Sequence, residues 1–295
     1  MNDQQAKIKI VTRSAYDLQK LRVQVVLRVI QNFKVKLGQK PSTTEEDLDA
    51  ESKKILERLR EDYKSITAGV TGYKVRSTFR GDGIITDFAD LSLCKQYFDL
   101  EKIEREQFEV LGKLLRGFPL WEEFLKDIKG VGPAMAGILI SEIDIHKARV
   151  PSSLWKYAGL AVMEDGKGQS RKKEHLVDVK YTNKKGEESV RKGITFNPIL
   201  KTKLIGVLGS SFLRAGDNKY SLIYRDYKHR LENHPVHAEK TKGHRHNMAT
   251  RYAVKAFLVD LHAAWRKLEG YEPSVPYAEA KLNIVHGASE PPDIK

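Results

Sequence analysis

Apolar residues recur three and four positions apart over most of this chain. Leu18, Leu21, Val25, Val26, Val29, Ile30 and Phe33 repeat in this way, which is the spacing of one face of an α-helix. Gly38 and Pro41 close that stretch, as residues that break helices do. Ser42-Thr43-Thr44-Glu45 has the form of a capping box. It predicts a second helix carrying Leu48, Ile55, Leu59 and Tyr63 on one side. Between Gly69 and Asp90 the glycines at 69, 72, 81 and 83 break every period, and a short hairpin or an ordered loop fits equally. A long amphipathic helix follows over 92–116, striped by Leu100, Ile103, Phe108, Leu111, Leu114 and Leu115. Such a stripe packs inside its own domain or pairs with a second copy of the chain as a coiled coil, making a homo-oligomer.

The pattern turns sharply at Ile128-Lys129-Gly130-Val131-Gly132-Pro133. Leu120, Phe124, Leu125 and Ile128 lead into it, and an apolar helix from Ala136 through Ile143 leads out. This reads as a helix-hairpin-helix. Gly130 and Gly132 accept the positive φ of a tight turn, and Pro133 suits the first turn of the next helix. Backbone N–H groups then converge at the positive end of a helix, where an anion such as a DNA phosphate fits. A contact of that kind reads backbone rather than base. The plainer reading is a corner that only packs.

Downstream, Ser152 to Leu160 predicts a short serine-capped helix ended by Gly159. A polar loop covers 163–173. Val177–Thr182 and Ser189–Phe196 predict two strands joined by Asn183-Lys184-Lys185-Gly186. Asn197-Pro198 opens another helix, with Ile199, Leu200, Leu204, Ile205, Val207 and Leu208 as its apolar positions. Tyr220 to Leu231 is basic and aromatic. The last helix runs from Asn247 to Leu268, striped by Val254, Phe257, Leu258, Leu261 and Trp265. Beyond Gly270 four prolines predict a loosely ordered tail. The fold class is mainly α: a helical N-terminal region (1–90), a helix-hairpin-helix domain with a small β-hairpin insertion (91–270), and a tail (271–295).

Composition narrows the function. No run approaches the ~20 apolar residues of a membrane span. The start, Met1 to Gln5, lacks the apolar core of a signal peptide. The single cysteine, Cys94, excludes an internal disulfide and a cysteine-based zinc cluster, and a cytoplasmic protein is expected. Net charge is +13. Residues 166–255 hold 21 Lys+Arg against 8 Asp+Glu and so carry the whole excess. A field so concentrated attracts polyanions, here DNA and, as a further partner, structured RNA. An acidic protein partner is the competing explanation.

Candidate phosphate contacts follow from these positions. They are Lys129, Gly130, Val131 and Gly132 in the turn, and Arg171, Lys172 and Lys173 in the polar loop. Lys184, Lys185, Arg191 and Lys192 lie on the hairpin. Arg225 and Lys228 interleave with Tyr220, Tyr224 and Tyr227, which either stack unpaired bases or pack. Lys242, His244, Arg245 and Arg251 stand near the head of the last helix, as a second phosphate site. His229, His234, His237, His244 and His246 lie close in sequence, but their spacing fits no zinc pattern. No metal or other cofactor is predicted.

Taken in order, the pieces resemble a known family. A charged amphipathic helix precedes Lys-Gly-Val-Gly-Pro, and Ser-Ser-Leu-Trp-Lys-Tyr-Ala-Gly-Leu follows. Then come the polar loop, Ile-Thr-Phe-Asn-Pro, Tyr-Arg-Asp-Tyr-Lys and a basic run, 240–251, opening the last helix. This is similar to the C-terminal half of the bridge-RNA-guided insertion-sequence transposases, over roughly residues 98–270. The resemblance implies a serine nucleophile toward DNA in the polar loop, and Ser170 stands at that place. Arg171 follows it where the family usually has glycine. The family's RuvC-like N-terminal domain holds Mg²⁺ on spaced carboxylates. Residues 1–90 show helices instead, and Asp82, Asp87, Asp90 and Asp99 have no metal-pair spacing. The sequence therefore predicts a transposase-related DNA-binding protein that grips phosphate without catalysis of its own. Two alternatives stand beside it: an active recombinase using Ser170, and a mobile-element or phage protein that inhibits or coats another protein.

Overall fold

The computed structural model describes residues 3–36, 38–44, 46–54, 57, 74–80 and 85–272. The expected positions Ile55, Leu59, Tyr63, Asp82, the glycines from Gly69 to Gly83 and the tail prolines lie outside these residues. The described chain is mainly α, with one two-stranded antiparallel hairpin. It divides into two compact units, residues 10–111 and residues 1–9 with 112–295.

In the 10–111 unit, helix α1 (Asp3–Lys36) runs antiparallel to α2 (Phe88–Leu115). Val25, Val29 and Phe33 bury their face against Leu91, Cys94 and Tyr97, the apolar stripe that the spacing predicts. Tyr16 meets Phe108 edge-on at 5.8 Å. Arg22 Nε donates to Glu104 Oε2 at 2.5 Å. Asp90 is buried and accepts from Asn32, the Thr86 amide and the Lys36 ammonium. It is thus spent on holding the helices together. Burial alone raises a carboxyl, but here the Lys36 ammonium, the Thr86 amide and Asn32 outweigh it and hold Asp90 below its ordinary range. Burial pushes the Cys94 thiol up to about 12, so it stays protonated at neutral pH. On α2, Leu111 and Leu115 are fully buried while Ile103 and Val110 stay exposed.

The second unit begins with the first turns of α1. Gln5 is buried there and its amide donates to the carbonyls of Ile140 (2.8 Å) and Ile143 (3.3 Å). Helix α3 (Pro119–Glu123) and a 3₁₀ turn (Leu125–Asp127) lead into α4 (Pro133–Glu142), which is buried from Met135 to Ser141. Helix α5 (Pro151–Tyr157) starts at Pro151 behind Val150, and no side chain caps it. The expected serine cap is not formed, because the helix starts at Pro151 with Val150 at the cap position, which puts Ser152 and Ser153 inside its first turn. Strands β1 (Val177–Thr182) and β2 (Glu188–Gly193) pair Val177 with Gly193 and Thr182 with Glu188. The second strand stops at Gly193, three residues before the expected end at Phe196. Phe196 turns inward instead, to pack on Gly159: a Cβ there would lie 2.7 Å from its ring, at a φ of +68°.

Helices α6 (Pro198–Thr202) and α7 (Gly209–Arg214) are joined by a π-helical segment, Lys203–Leu208. Such wide turns are rare and often lie at functional sites. Helix α8 (Lys219–Asn233), the short α9 (Pro235–Ala238) and α10 (Lys242–Leu268) complete the unit. Its centre is aromatic, with Phe212, Tyr220 and Phe257 in mutual contact at 4.6–5.6 Å. Gly209 lets α7 press on α10, because a Cβ there would sit 2.4 Å from Thr250 Cγ2. No helix among the described residues is long and apolar enough to cross a membrane.

Candidate nucleic-acid interface

The glycine turn has the expected local form. Gly130 takes φ +96°, and its missing side chain makes room for Ser211 and Phe212 of α7, whose atoms would lie 3.1 Å from a Cβ. Gly132 differs. Its φ is −97°, which any residue adopts, and a Cβ there would touch nothing within 4 Å. Gly132 and Pro133 are exposed at the start of α4. The Val131 amide is already used, donating to Ile128 O at 3.0 Å. Lys129 Nζ reaches the carbonyl of Asp217 at 3.4 Å. Arg225 binds the carboxylate of the same residue at 2.6 Å.

Asn197 ties three helices together at the polar loop. The Asn197 amide N–H donates to Tyr157 O at 2.7 Å. Its side chain donates to Glu142 Oε2 (2.7 Å) and accepts from the amides of Ile199 and Leu200 (3.0 Å each). This joins α4, α5 and α6 around the polar loop. The loop folds back on itself: Gln169 N donates to Ala161 O (2.9 Å) and Met163 N to Lys167 O (2.8 Å). Gln169 is buried and donates to Thr195 Oγ1 at 2.6 Å.

Ser170 follows directly. Its Oγ lies 2.8 Å from His175 Nδ1, and its own N–H donates to the same nitrogen at 3.0 Å. The other ring nitrogen, Nε2, is 3.3 Å from Asp165 Oδ2. That is within reach of an ion pair but off the line of a hydrogen bond. The Lys167 amide N–H, then His175, hold the Asp165 carboxyl below its ordinary value against burial. The His175 side chain is 2% exposed. Neither His175 nor Asp165 was among the expected site residues. The available signal was a histidine five residues after the serine.

Beside this loop three cations turn inward. Lys201 Nζ donates to the carbonyl of Gln169 and lies 4.8 Å over the Phe196 ring. The Arg251 guanidinium presses on Gly168, where a Cβ would fall 1.6 Å from Nη1. Lys255, one turn further along α10, sits 5.0 Å over the Trp155 ring. Burial, then the charge of Arg251, lowers both lysines, and Lys255 is pulled down to about 8. Burial also lowers Arg251. Among the described residues, no carboxylate forms an ion pair with any of the three. Desolvated charge is costly unless paired, so this cluster is short of an anion. Arg251 was expected from the sequence, whereas Lys201 and Lys255 were not.

The other expected residues are more dispersed. Arg171, Lys172 and Lys173 are exposed next to Ser170, and Lys184 and Lys185 are exposed at the hairpin tip. On β2, Arg191 lies over Tyr181 at 5.0 Å and Lys192 pairs with Asp178 at 2.9 Å. Lys228 is 3.9 Å from Glu232. Lys242 and His244 are exposed in the first turn of α10, whereas Arg245 is turned onto the carbonyls of Ala238 and Lys240. The tyrosines mostly pack. Tyr220 is buried and donates to Asp260 (2.8 Å), Tyr224 is buried with its hydroxyl 2.6 Å from His246 Nδ1, and Tyr227 stacks on Tyr252 at 4.1 Å. Of the two readings, stacking on bases or packing, Tyr220 and Tyr224 follow the second, set by the α8–α10 contact. Among the described residues no group of three or more His, Cys, Asp or Glu side chains comes together as a metal ion would need.

Residues 122–196 match the family model described as Transposase IS116/IS110/IS902 family. This segment runs from α3 to Phe196 and includes the glycine turn, Ser170, His175 and Asp165. The chain thus carries a transposase-related domain of the kind found in mobile elements. No curated protein and no solved structure matches it.

Proposed function

We propose that this transposase-related domain binds DNA along its phosphate backbone, with the strand lying over the polar loop at Ser170. One observation carries the reading: Lys201, Arg251 and Lys255 are desolvated cations with no acidic partner among the described residues. A phosphate oxygen supplies the missing charge, and Arg and Lys are the residues that bind it. Arg171, Lys172 and Lys173 extend the positive surface outward. The glycine turn supports a second contact as a helix-hairpin-helix, through the open N-terminus of α4 at Gly132. Binding of a labelled DNA duplex by the full-length chain tests this. The wild type binds at low salt, and Arg251→Met weakens it about tenfold or more, the worth of one charge-assisted hydrogen bond. Equal affinity in the two proteins refutes the reading.

A second reading adds chemistry to the same site. Ser170 acts as a nucleophile on the held strand, and the 2.8 Å contact between its Oγ and His175 favours this. Cleavage of supercoiled DNA with a strand left attached to protein tests it. Ser170→Ala abolishes the attachment, and a variant that still forms it sinks the reading.

A further inference from the structure

Ser170 is the one hydroxyl residue of the 163–173 loop, and an imidazole faces it. The ring of His175 is held behind it by a 3₁₀ turn, Lys173–His175, closed by His175 N donating to Lys172 O at 2.9 Å. The ring's tautomer can be read from its neighbours. A backbone N–H can only donate, so Nδ1, which receives the Ser170 amide at 3.0 Å, presents a lone pair. The hydrogen of the neutral ring then sits on Nε2, the nitrogen that faces the Asp165 carboxylate at 3.3 Å. With Nδ1 an acceptor, the Ser170 hydroxyl at 2.8 Å donates to it, sharing its single lone pair with the Ser170 amide. Nucleophile and base are in hydrogen-bond contact, as an activated serine requires, and the carboxylate faces the far ring nitrogen at ion-pair distance without a hydrogen bond, with the two ring nitrogens exchanged relative to the common protease arrangement.

We propose that His175 is the general base for Ser170 and that Asp165 is its positioning residue. The proposal rests on the reading of Ser170 as a nucleophile toward a phosphodiester. In the step, the Oγ proton passes to His175 Nδ1 and an Oγ lone pair forms a bond to phosphorus. The bond from phosphorus to the deoxyribose oxygen opposite the attacking Oγ breaks, and that oxygen takes a proton from solvent water and leaves as a hydroxyl, while the proton on Nδ1 is returned to solvent. One ester bond replaces another, and nothing is oxidised or reduced. As Nδ1 takes the proton the imidazole becomes a cation, and the Asp165 carboxylate beside Nε2 stabilises it. The uncompensated cations at Lys201 and Arg251 adjoin the residues just before Ser170, where the attacked phosphate gains negative charge.

A fluorophosphonate reagent separates this proposal from the DNA reading, because a phosphorus electrophile that loses fluoride needs only an activated hydroxyl. With the full-length chain, phosphonylation at Ser170 is followed by peptide mass. The wild type labels at Ser170 and Ser170→Ala does not. His175→Gln slows labelling by about 100-fold or more, the usual worth of a positioned base. Asp165→Asn slows it about tenfold. Added imidazole restores the rate of His175→Gly, which a purely structural histidine would not permit, and this arm holds even if one substitution loosens the loop. Labelling of His175→Gln at the wild-type rate, no rescue of His175→Gly, or no labelling of wild-type Ser170 overturns the proposal. Supercoiled DNA supplies the other arm. Histidine-dependent labelling without any Ser170–DNA adduct refutes the strand-transfer reading and leaves the base assignment standing. An adduct formed equally well by His175→Gln does the reverse.

Discussion

Replacing Lys255 by Met tests whether the inward cations are built for a ligand, because it moves stability and binding in opposite directions. Burial, then Arg251, pulls the Lys255 ammonium from 10.5 down to about 8. Below pH 8 the folded chain carries a penalised charge. Between pH 8 and 10.5 the unfolded chain holds a proton that the folded chain has shed, so wild-type stability rises with pH through that window. At about 1.4 kcal/mol per pH unit, the shift amounts to roughly 3 kcal/mol held against folding at pH 7. The cation–π contact with Trp155 offsets about 1 kcal/mol of that, and methionine keeps the stem packing with a sulfur–aromatic contact of its own. Lys255→Met should therefore stabilise the free protein by about 1–2 kcal/mol at pH 7. The gain should shrink by pH 10. Duplex affinity should fall about tenfold or more with the lost charge. Urea unfolding at the two pH values and fluorescence anisotropy with a labelled duplex read both. A variant that is destabilised equally at both pH values and binds DNA as well as the wild type refutes the reasoning.

Gly168→Ala places a Cβ where the Arg251 guanidinium now rests. The mobile end of that side chain must withdraw, so stability changes by less than about 1 kcal/mol while DNA affinity falls. Gly117→Ala has open space but a φ of +79°, so it costs about 1 kcal/mol in thermal unfolding and leaves affinity unchanged. Asp90→Ala strands Asn32 and the Thr86 amide, while Lys36 keeps Asp87 and the Thr86 hydroxyl, and costs the 10–111 unit about 2–4 kcal/mol in urea unfolding at pH 7. The folded carboxyl lies below its ordinary value. Its contribution is therefore complete above an unfolded value near 3.9 and is lost as pH falls through the folded one, so the cost of Asp90→Ala should shrink in acid.

Features governed by local rules were legible in the residues. Val25, Val29 and Phe33 bury the stripe their spacing draws, and Pro133 opens α4 behind a turn that needs Gly130. Rules that tertiary contacts override were less so. Phe196 reads as the end of a strand, but Gly159 offers its ring a place 37 positions earlier in the chain. Tyr220 and Tyr224 read as either base platforms or core, and only the approach of α10, bringing Asp260 and His246, decides between them. Arg245 reads as a phosphate contact, yet the bend before α10 leaves two carbonyls that it satisfies. The cation cluster draws on α6 and α10, so no window of sequence contains it. His175 and Asp165 flank Ser170 within ten residues, but an irregular loop has no period from which to infer that their side chains converge.

The account stands or falls on whether Lys201, Arg251 and Lys255 receive phosphate. The direct measurement is the slope of log affinity against log salt for a DNA duplex, compared between the wild type and the K201M/R251M/K255M triple variant. Each neutralised phosphate contributes about 0.9 to that slope. Three lost contacts should flatten it by roughly 2.7 and weaken binding at every salt concentration. Identical slopes, or no DNA binding by the wild type even at low salt, would contradict it.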